Sequence, residues 1–132
     1  MRFLDTSFVI ALLRRNERHH EAAAEIWHGN EHQLLVTHGV LGEIWTLMRR
    51  REHHGAAVAA IDGVTGSSKV IVVDTDADVH DAAWRWLRRR DDGVYSFVDA
   101  VSFELMRRRR LREALAFDDD FTRAGFVEVR AG

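Results

Sequence analysis

Met1-Arg2-Phe3-Leu4-Asp5-Thr6-Ser7, running directly into Phe8-Val9-Ile10-Ala11-Leu12-Leu13, is the stretch whose reading decides the fold. Arg2 to Leu4 is too short for anything but a strand, and the apolar run after Ser7 reads as a buried helix. Asp5 then stands at a strand's C-terminal end, the edge where open α/β sheets bind ligands. The same position also suits helix capping, with Asp5 or Thr6 supplying an oxygen to free amides. The pattern of a strand ending in an acid returns later in the chain, which favours a functional role for Asp5.

The 132 residues are enough for one domain with a substantial core and too few for two. A chain that is 46% hydrophobic and 30% charged has an ordinary globular composition. No apolar run approaches the roughly 20 residues of a membrane span, and no signal peptide precedes the first strand, so a cytoplasmic protein is expected. With no cysteine there is no disulfide, zinc knuckle or thiol nucleophile, and any metal must be held by carboxylates, histidines or carbonyls. The net charge of −2 hides uneven placement. Arginine blocks at 14–15, 49–51, 88–90 and 107–110 close predicted helices, where cations complement the helix dipole; a shared phosphate-binding groove is the sharper alternative. The eight histidines include His19-His20 and His53-His54, which read as surface residues on helix ends.

Taken in order, Arg18 to Trp27 is a helix, Leu34-Leu35-Val36 a strand, and Val40 to Arg51 a helix with one wide apolar stripe that has Glu43 at its edge. Ala57 to Val64 forms a second helix of a hairpin. Val70 to Val73 is a β-branched strand of the kind covered on both faces. A helix follows from Asp78 to Leu87, a loop at Asp91-Asp92-Gly93, and a helix from Ser96 to about Arg107. Glu113 to Phe117 is a strand ending in Asp118-Asp119-Asp120, and Phe126 to Val129 closes the chain. Alternation at these lengths implies parallel βαβ units with helices on both faces.

Asp99 lies in the first turn of a helix with almost no polar face, since Phe97, Val98, Ala100, Val101, Phe103, Leu105 and Met106 surround it. A carboxylate there needs a cation or several hydrogen bonds. Glu104 shares that helix but belongs to no strand end. Asp5, Glu43, Asp99 and Asp118 can all meet at the sheet's C-terminal edge, where at about 4 Å and an effective dielectric near 20 each like-charged contact costs on the order of 4 kcal/mol. Such a cluster demands protonation or a divalent cation, and with oxygen ligands alone Mg²⁺ or Mn²⁺ is expected. Such an ion activates water and neutralises phosphoryl charge, the chemistry of phosphodiester hydrolysis. Thr6, Ser7, Ser96 and Ser102 are nearby hydroxyls; Ser96 stands where the cap of the Asp99 helix is expected. No glycine-rich phosphate loop and no Gly-x-Ser-x-Gly elbow is present.

The segments 4–7, 41–45, 95–103 and 114–121, with Gly125-Phe126, closely resemble in order and spacing the PIN domain family, in particular VapC-type ribonuclease toxins. The resemblance implies one PIN domain over residues 1–132, with a doubly wound fold and a central parallel sheet. It implies an endoribonuclease dependent on Mg²⁺ or Mn²⁺ that cleaves structured transfer or ribosomal RNA in accessible loops. The catalytic acids correspond to Asp5, Glu43, Asp99 and Asp118. Asp5, Asp99 and Asp118 fall at metal-ligand positions, and Asp120 matches one where members often carry a further acid. The family's toxins form homodimers and are silenced by a VapB-type antitoxin lying along the active-site groove; the 40–64 hairpin and the Trp27 region offer surfaces for one. Two other readings stand beside this one. A receiver-like phosphoacceptor domain would want paired acids after the first strand and a lysine ending a strand, whereas Lys69 begins one. A non-catalytic RNA- or protein-binding module would keep the fold and use the acids structurally.

Overall fold

The computed structural model describes all of residues 1–132, and along them strands and helices alternate. The elements are β1 (Arg2–Leu4), α1 (Thr6–Leu13), α2 (His20–Gly29), β2 (Leu34–Thr37), α3 (His38–Arg51), α4 (His54–Thr65) and β3 (Val70–Val73), followed by α5 (Ala77–Arg89), α6 (Phe97–Arg108), β4 (Glu113–Leu115), α7 (Asp120–Arg123) and β5 (Val127–Glu128). No helix is long and apolar enough to cross a membrane.

The five strands form one sheet in the order β3-β2-β1-β4-β5, with every pairing parallel. The chain therefore starts in the middle, moves outward through β2 and β3, and returns to the other side of β1 as β4 and β5. That reversal beside β1 is the switch point at which doubly wound sheets open a crevice. Helices flank the sheet in packed pairs, α1 with α2, α3 with α4 and α5 with α6. Phe3, Leu4, Leu34, Leu35, Val36 and Leu115 are fully buried at the centre, as parallel strands covered on both faces require. Phe103 of α6 packs edge-on against Phe121 (4.9 Å) and against Trp86 (5.3 Å), joining α6 to α7 and α5.

β3 departs from its expected environment. It is an edge strand with three of its four residues only partly buried, because β2 alone lies beside it. Its β-branched run reports strand propensity, not position. The last two strands are shorter than predicted, so Asp118 lies three residues beyond the end of β4, on a loop.

Gly39 controls how closely two of the helices meet. A Cβ at this position would lie 3.2 Å from Val98 Cγ2, so its absence lets the start of α3 approach the first turn of α6.

Candidate active site

Asp5 and Asp118 leave β1 and β4, the strands on either side of the switch point, while Asp99 enters from the first turn of α6. One oxygen from each of these three carboxylates lies within 4.8 Å of the others. They border a groove of about 990 Å³ that is also lined by Thr6, Ser7, Glu43, Ser96, Tyr95 and Phe117.

Each acid is held by a local device written into its own segment. Asp5 is the N-cap of α1, accepting from the Ser7 amide (3.1 Å) and from the Ser7 hydroxyl (2.6 Å). Capping and membership of the cluster are thus the same placement, because a cap at the end of β1 points its carboxylate over the sheet's edge. Asp99 and Ser96 form a reciprocal capping box: the Asp99 amide donates to Ser96 Oγ (3.0 Å) and the Ser96 amide to the Asp99 carboxylate (3.1 Å). Asp118 accepts from the amide of Asp120 (3.1 Å). Glu43 stands outside the group of three on the same groove, its carboxylate taking the Thr6 hydroxyl (2.8 Å). Asp120 is also outside the three and pairs with Arg123 at 3.4 Å. Ser102 donates to the Val98 carbonyl inside α6 and contributes nothing to the site.

The electrostatics are those of crowded acids, with Asp5 and Asp99 buried and Asp118 exposed at the surface of the groove. Burial pushes Asp5 well above the ordinary carboxylate range and the Asp118 charge adds to it, against the opposing Ser7 hydrogen bonds. Burial and Asp120 raise Asp118 to about 6. Asp99 and Glu43 are raised by burial as well, with Ser96 and Thr6 respectively working against it. Glu104 provides the contrast within the same helix. Burial raises it, but hydrogen bonds from Arg108 and Arg107 at 3.0 Å outweigh that and draw it down. No arginine, lysine or histidine is ion-paired with Asp5, Asp99 or Asp118, although arginines satisfy acids all around the surface. Three unneutralised carboxylates converging from separate elements are a hard-oxygen donor set that fits a divalent cation.

A match to the PIN domain family covers residues 2–127, a span that contains all of these acids. The chain belongs to the PIN domain family. Among PIN proteins it is 46% identical over 130 residues to the 23S rRNA-specific endonuclease VapC20 of Mycobacterium tuberculosis strains CDC 1551 and H37Rv, an alignment covering 98% of each chain. Its structure superposes on the crystal structure of Mycobacterium tuberculosis VapC20, described as a sarcin–ricin loop cleaving toxin, with a TM-score of 0.93 at 45% identity over 98% of this chain and 99% of that one. A toxin–antitoxin complex from Klebsiella pneumoniae shares the fold at a TM-score of 0.63 and 13% identity, covering 91% and 88% of the two chains. The receiver-like alternative loses its remaining support, since Lys69 bonds the Asn30 carbonyl at the start of β3, away from the acids.

Glu128 and His19 escape local sequence reading. Glu128 on β5 is a carboxylate with a side chain only 1% exposed. It accepts the amides of Asp119 (3.3 Å) and Thr122 (3.0 Å) and the Thr122 hydroxyl (2.9 Å), clamping the turn that carries Asp118 and Asp120. Asp119 in that turn has φ +64°, a left-handed conformation that aspartate tolerates better than most residues. His19 corrects the expectation of a surface histidine: its ring lies flat on Phe117 at 4.5 Å and it lines the groove. Its neighbour His20 is likewise half-buried, bonded to the Ala11 carbonyl (2.8 Å). Arg51, from the arginine block at 49–51 for which a phosphate groove is the sharper alternative, lines the same groove. Packing between distant segments, which no short window displays, sets His19 beside Phe117, whereas Glu128 is tied to its turn by hydrogen bonds over six to nine residues.

Proposed function

We propose that this PIN protein is a Mg²⁺- or Mn²⁺-dependent endoribonuclease, the toxin of a VapBC-type pair, that cuts 23S ribosomal RNA in its sarcin–ricin loop. The gathering of Asp5, Asp99 and Asp118 within 4.8 Å, with no cationic side chain to neutralise them, carries the reading. The likeness to an rRNA-specific endonuclease over 98% of both chains supplies the substrate class.

Asp5, Asp99 and Asp118 would hold the metal, with Asp120 as a further acid beside them. Bound there, the ion supplies water activation and charge neutralisation for phosphodiester hydrolysis. Ser7 and Ser96 orient the Asp5 and Asp99 carboxylates through their hydrogen bonds to them. Glu43, raised by burial and fixed by Thr6, is the free acid facing the groove and serves to move a proton during cleavage. An unpaired loop suits this site because its backbone can be drawn into a groove that a duplex cannot enter. A VapB-type antitoxin and a homodimeric assembly complete the proposal.

Primer extension on 23S rRNA from ribosomes incubated with the purified protein tests it. One cut in the sarcin–ricin loop is expected with Mg²⁺ or Mn²⁺, and none with EDTA. Cleavage that survives in both Asp5→Asn and Asp99→Asn would sink the assignment.

A further inference from the structure

We propose that the His19–Phe117 ring pair is the seat for one unpaired RNA base beside the bond that is cut; this rests on the endoribonuclease reading. The two rings are parallel to within 8° with centroids 4.5 Å apart, and both line the groove that holds the acids. Phe117 is held from inside by Phe8, a fully buried ring parallel to it within 13° at 5.5 Å. The platform is therefore rigid on its core side.

Its position is tied to the acid cluster by one side chain. The Phe117 amide donates to Ser7 Oγ (3.0 Å), and the same hydroxyl donates to Asp5 (2.6 Å). Asp118 is the next residue along the chain. Any flat group resting on these rings sits at a set distance from the carboxylates. His19 has no structural bond to explain its placement: His20 is tied to a main-chain carbonyl, whereas the ring nitrogens of His19 bond no protein atom. They are free to meet the polar edge of a ligand.

The remainder of the groove selects the ligand class. Arg51 lines it, with a side chain 46% exposed and a single ion pair, to Glu17 at 3.4 Å. A groove lined by a carboxylate cluster, a flat ring pair next in sequence to one of its acids, and a partly exposed guanidinium paired once with Glu17 offers the groups a nucleotide strand needs: partners for a metal-bound phosphate, for a base and for a further phosphate. Bases in a duplex are stacked on their neighbours, so only an unpaired nucleotide can use the platform.

The test is fluorescence anisotropy with a labelled single-stranded RNA hexamer on Asp99→Asn protein, which binds without cutting, with and without His19→Ala or His19→Phe. Removing the platform should weaken binding about 10-fold, the scale of one lost base stack, and His19→Phe should restore most of it. The penalty should vanish on a hexamer carrying an abasic nucleotide at one position and persist with the abasic site elsewhere. Equal binding by the His19→Ala protein, or a penalty unchanged on every abasic hexamer, would overturn the proposal; the first result would hand the ring pair to a protein side chain. Failure of the nuclease reading is separately visible. His19-dependent RNA binding by a wild-type chain that cuts no RNA with Mn²⁺ would leave the base seat standing and remove the enzyme.

Discussion

The Ser7 hydroxyl donates to the Asp5 carboxylate across 2.6 Å, and its oxygen in turn accepts the Phe117 amide at 3.0 Å. One side chain thereby sets the orientation of the most buried acid and fastens the end of β4 to the start of α1. Ser7→Ala should cost about 1–2 kcal/mol of stability, one hydrogen bond plus a buried amide left without a partner. RNA cleavage should fall about 10-fold, the loss expected when a ligand's orienting partner is removed. Thermal denaturation and cleavage kinetics on the same preparation would check both; full activity in this variant would show that Ser7 orients nothing.

Asp5→Asn separates function from stability. Burial and the charge of Asp118 both oppose ionisation of Asp5, so the amide relieves a repulsion that the wild type keeps. In EDTA the variant should be about 1 kcal/mol more stable than wild type, the size of a partly screened like-charge contact. Mn²⁺ should raise the wild-type melting temperature through binding to the folded state and leave the variant's almost unmoved. Cleavage should drop by a factor on the order of 10³, as for loss of an electrostatic group at a reacting centre. A variant less stable than wild type in EDTA would mean that Asp5 serves mainly as a cap.

The metal-free protein should lose stability as pH rises through the site's titration. Asp5, Asp99, Glu43 and Asp120 are raised above their ordinary values by burial, and Asp118 by burial to about 6. Between roughly pH 4, where such groups titrate in the unfolded chain, and the raised folded values, the native state binds more protons. Their stabilising contribution is therefore complete below the unfolded values and disappears as pH climbs through the folded ones. Asp92, lowered to about 2 by its bond to Arg90, acts in the opposite sense, but only under the unfolded value. Urea midpoints in EDTA should be higher at pH 5 than at pH 7.5, and saturating Mn²⁺ should cancel the difference. A midpoint that rises with pH in EDTA would contradict the raised values.

Glu128 and Glu104 make a paired comparison. Glu128→Gln puts an amide donor among four donors, three from the Asp119–Thr122 turn and one from Arg130 at 3.2 Å, and removes that ion pair. It should cost about 2 kcal/mol and lower cleavage about 10-fold by loosening that turn. Glu104→Gln removes half-exposed ion pairs to Arg107 and Arg108, and should cost less than about 1 kcal/mol with cleavage unchanged. Equal effects of the two substitutions on cleavage would deny Glu128 its role in holding the acids.

The legible part of this protein is the part that short segments dictate. A three-residue strand running into a capping acid placed Asp5, and an apolar helix with one acid in its first turn marked Asp99 as buried. The alternation of elements implied the parallel sheet that the fold contains. These readings work because capping, periodicity and strand propensity act over a few residues. Asp120 is a different matter: its pairing with Arg123 at 3.4 Å forms within a four-residue helix that reads in the sequence only as a last turn. β3 could not be recognised as an edge strand, because strand order is set by which neighbours pack and not by the strand's own residues.

Composition and spacing thus dictated the elements, their parallel arrangement and a list of acids with chemical potential. The tertiary structure decided the rest: Glu128 of β5 accepts the amides of the turn before it, and His19 meets Phe117, 98 positions away in the chain, through packing. Local hydrogen bonds fix where a backbone turns, but which carboxylates share one pocket is settled by burying the faces of helices from separate parts of the chain against one sheet.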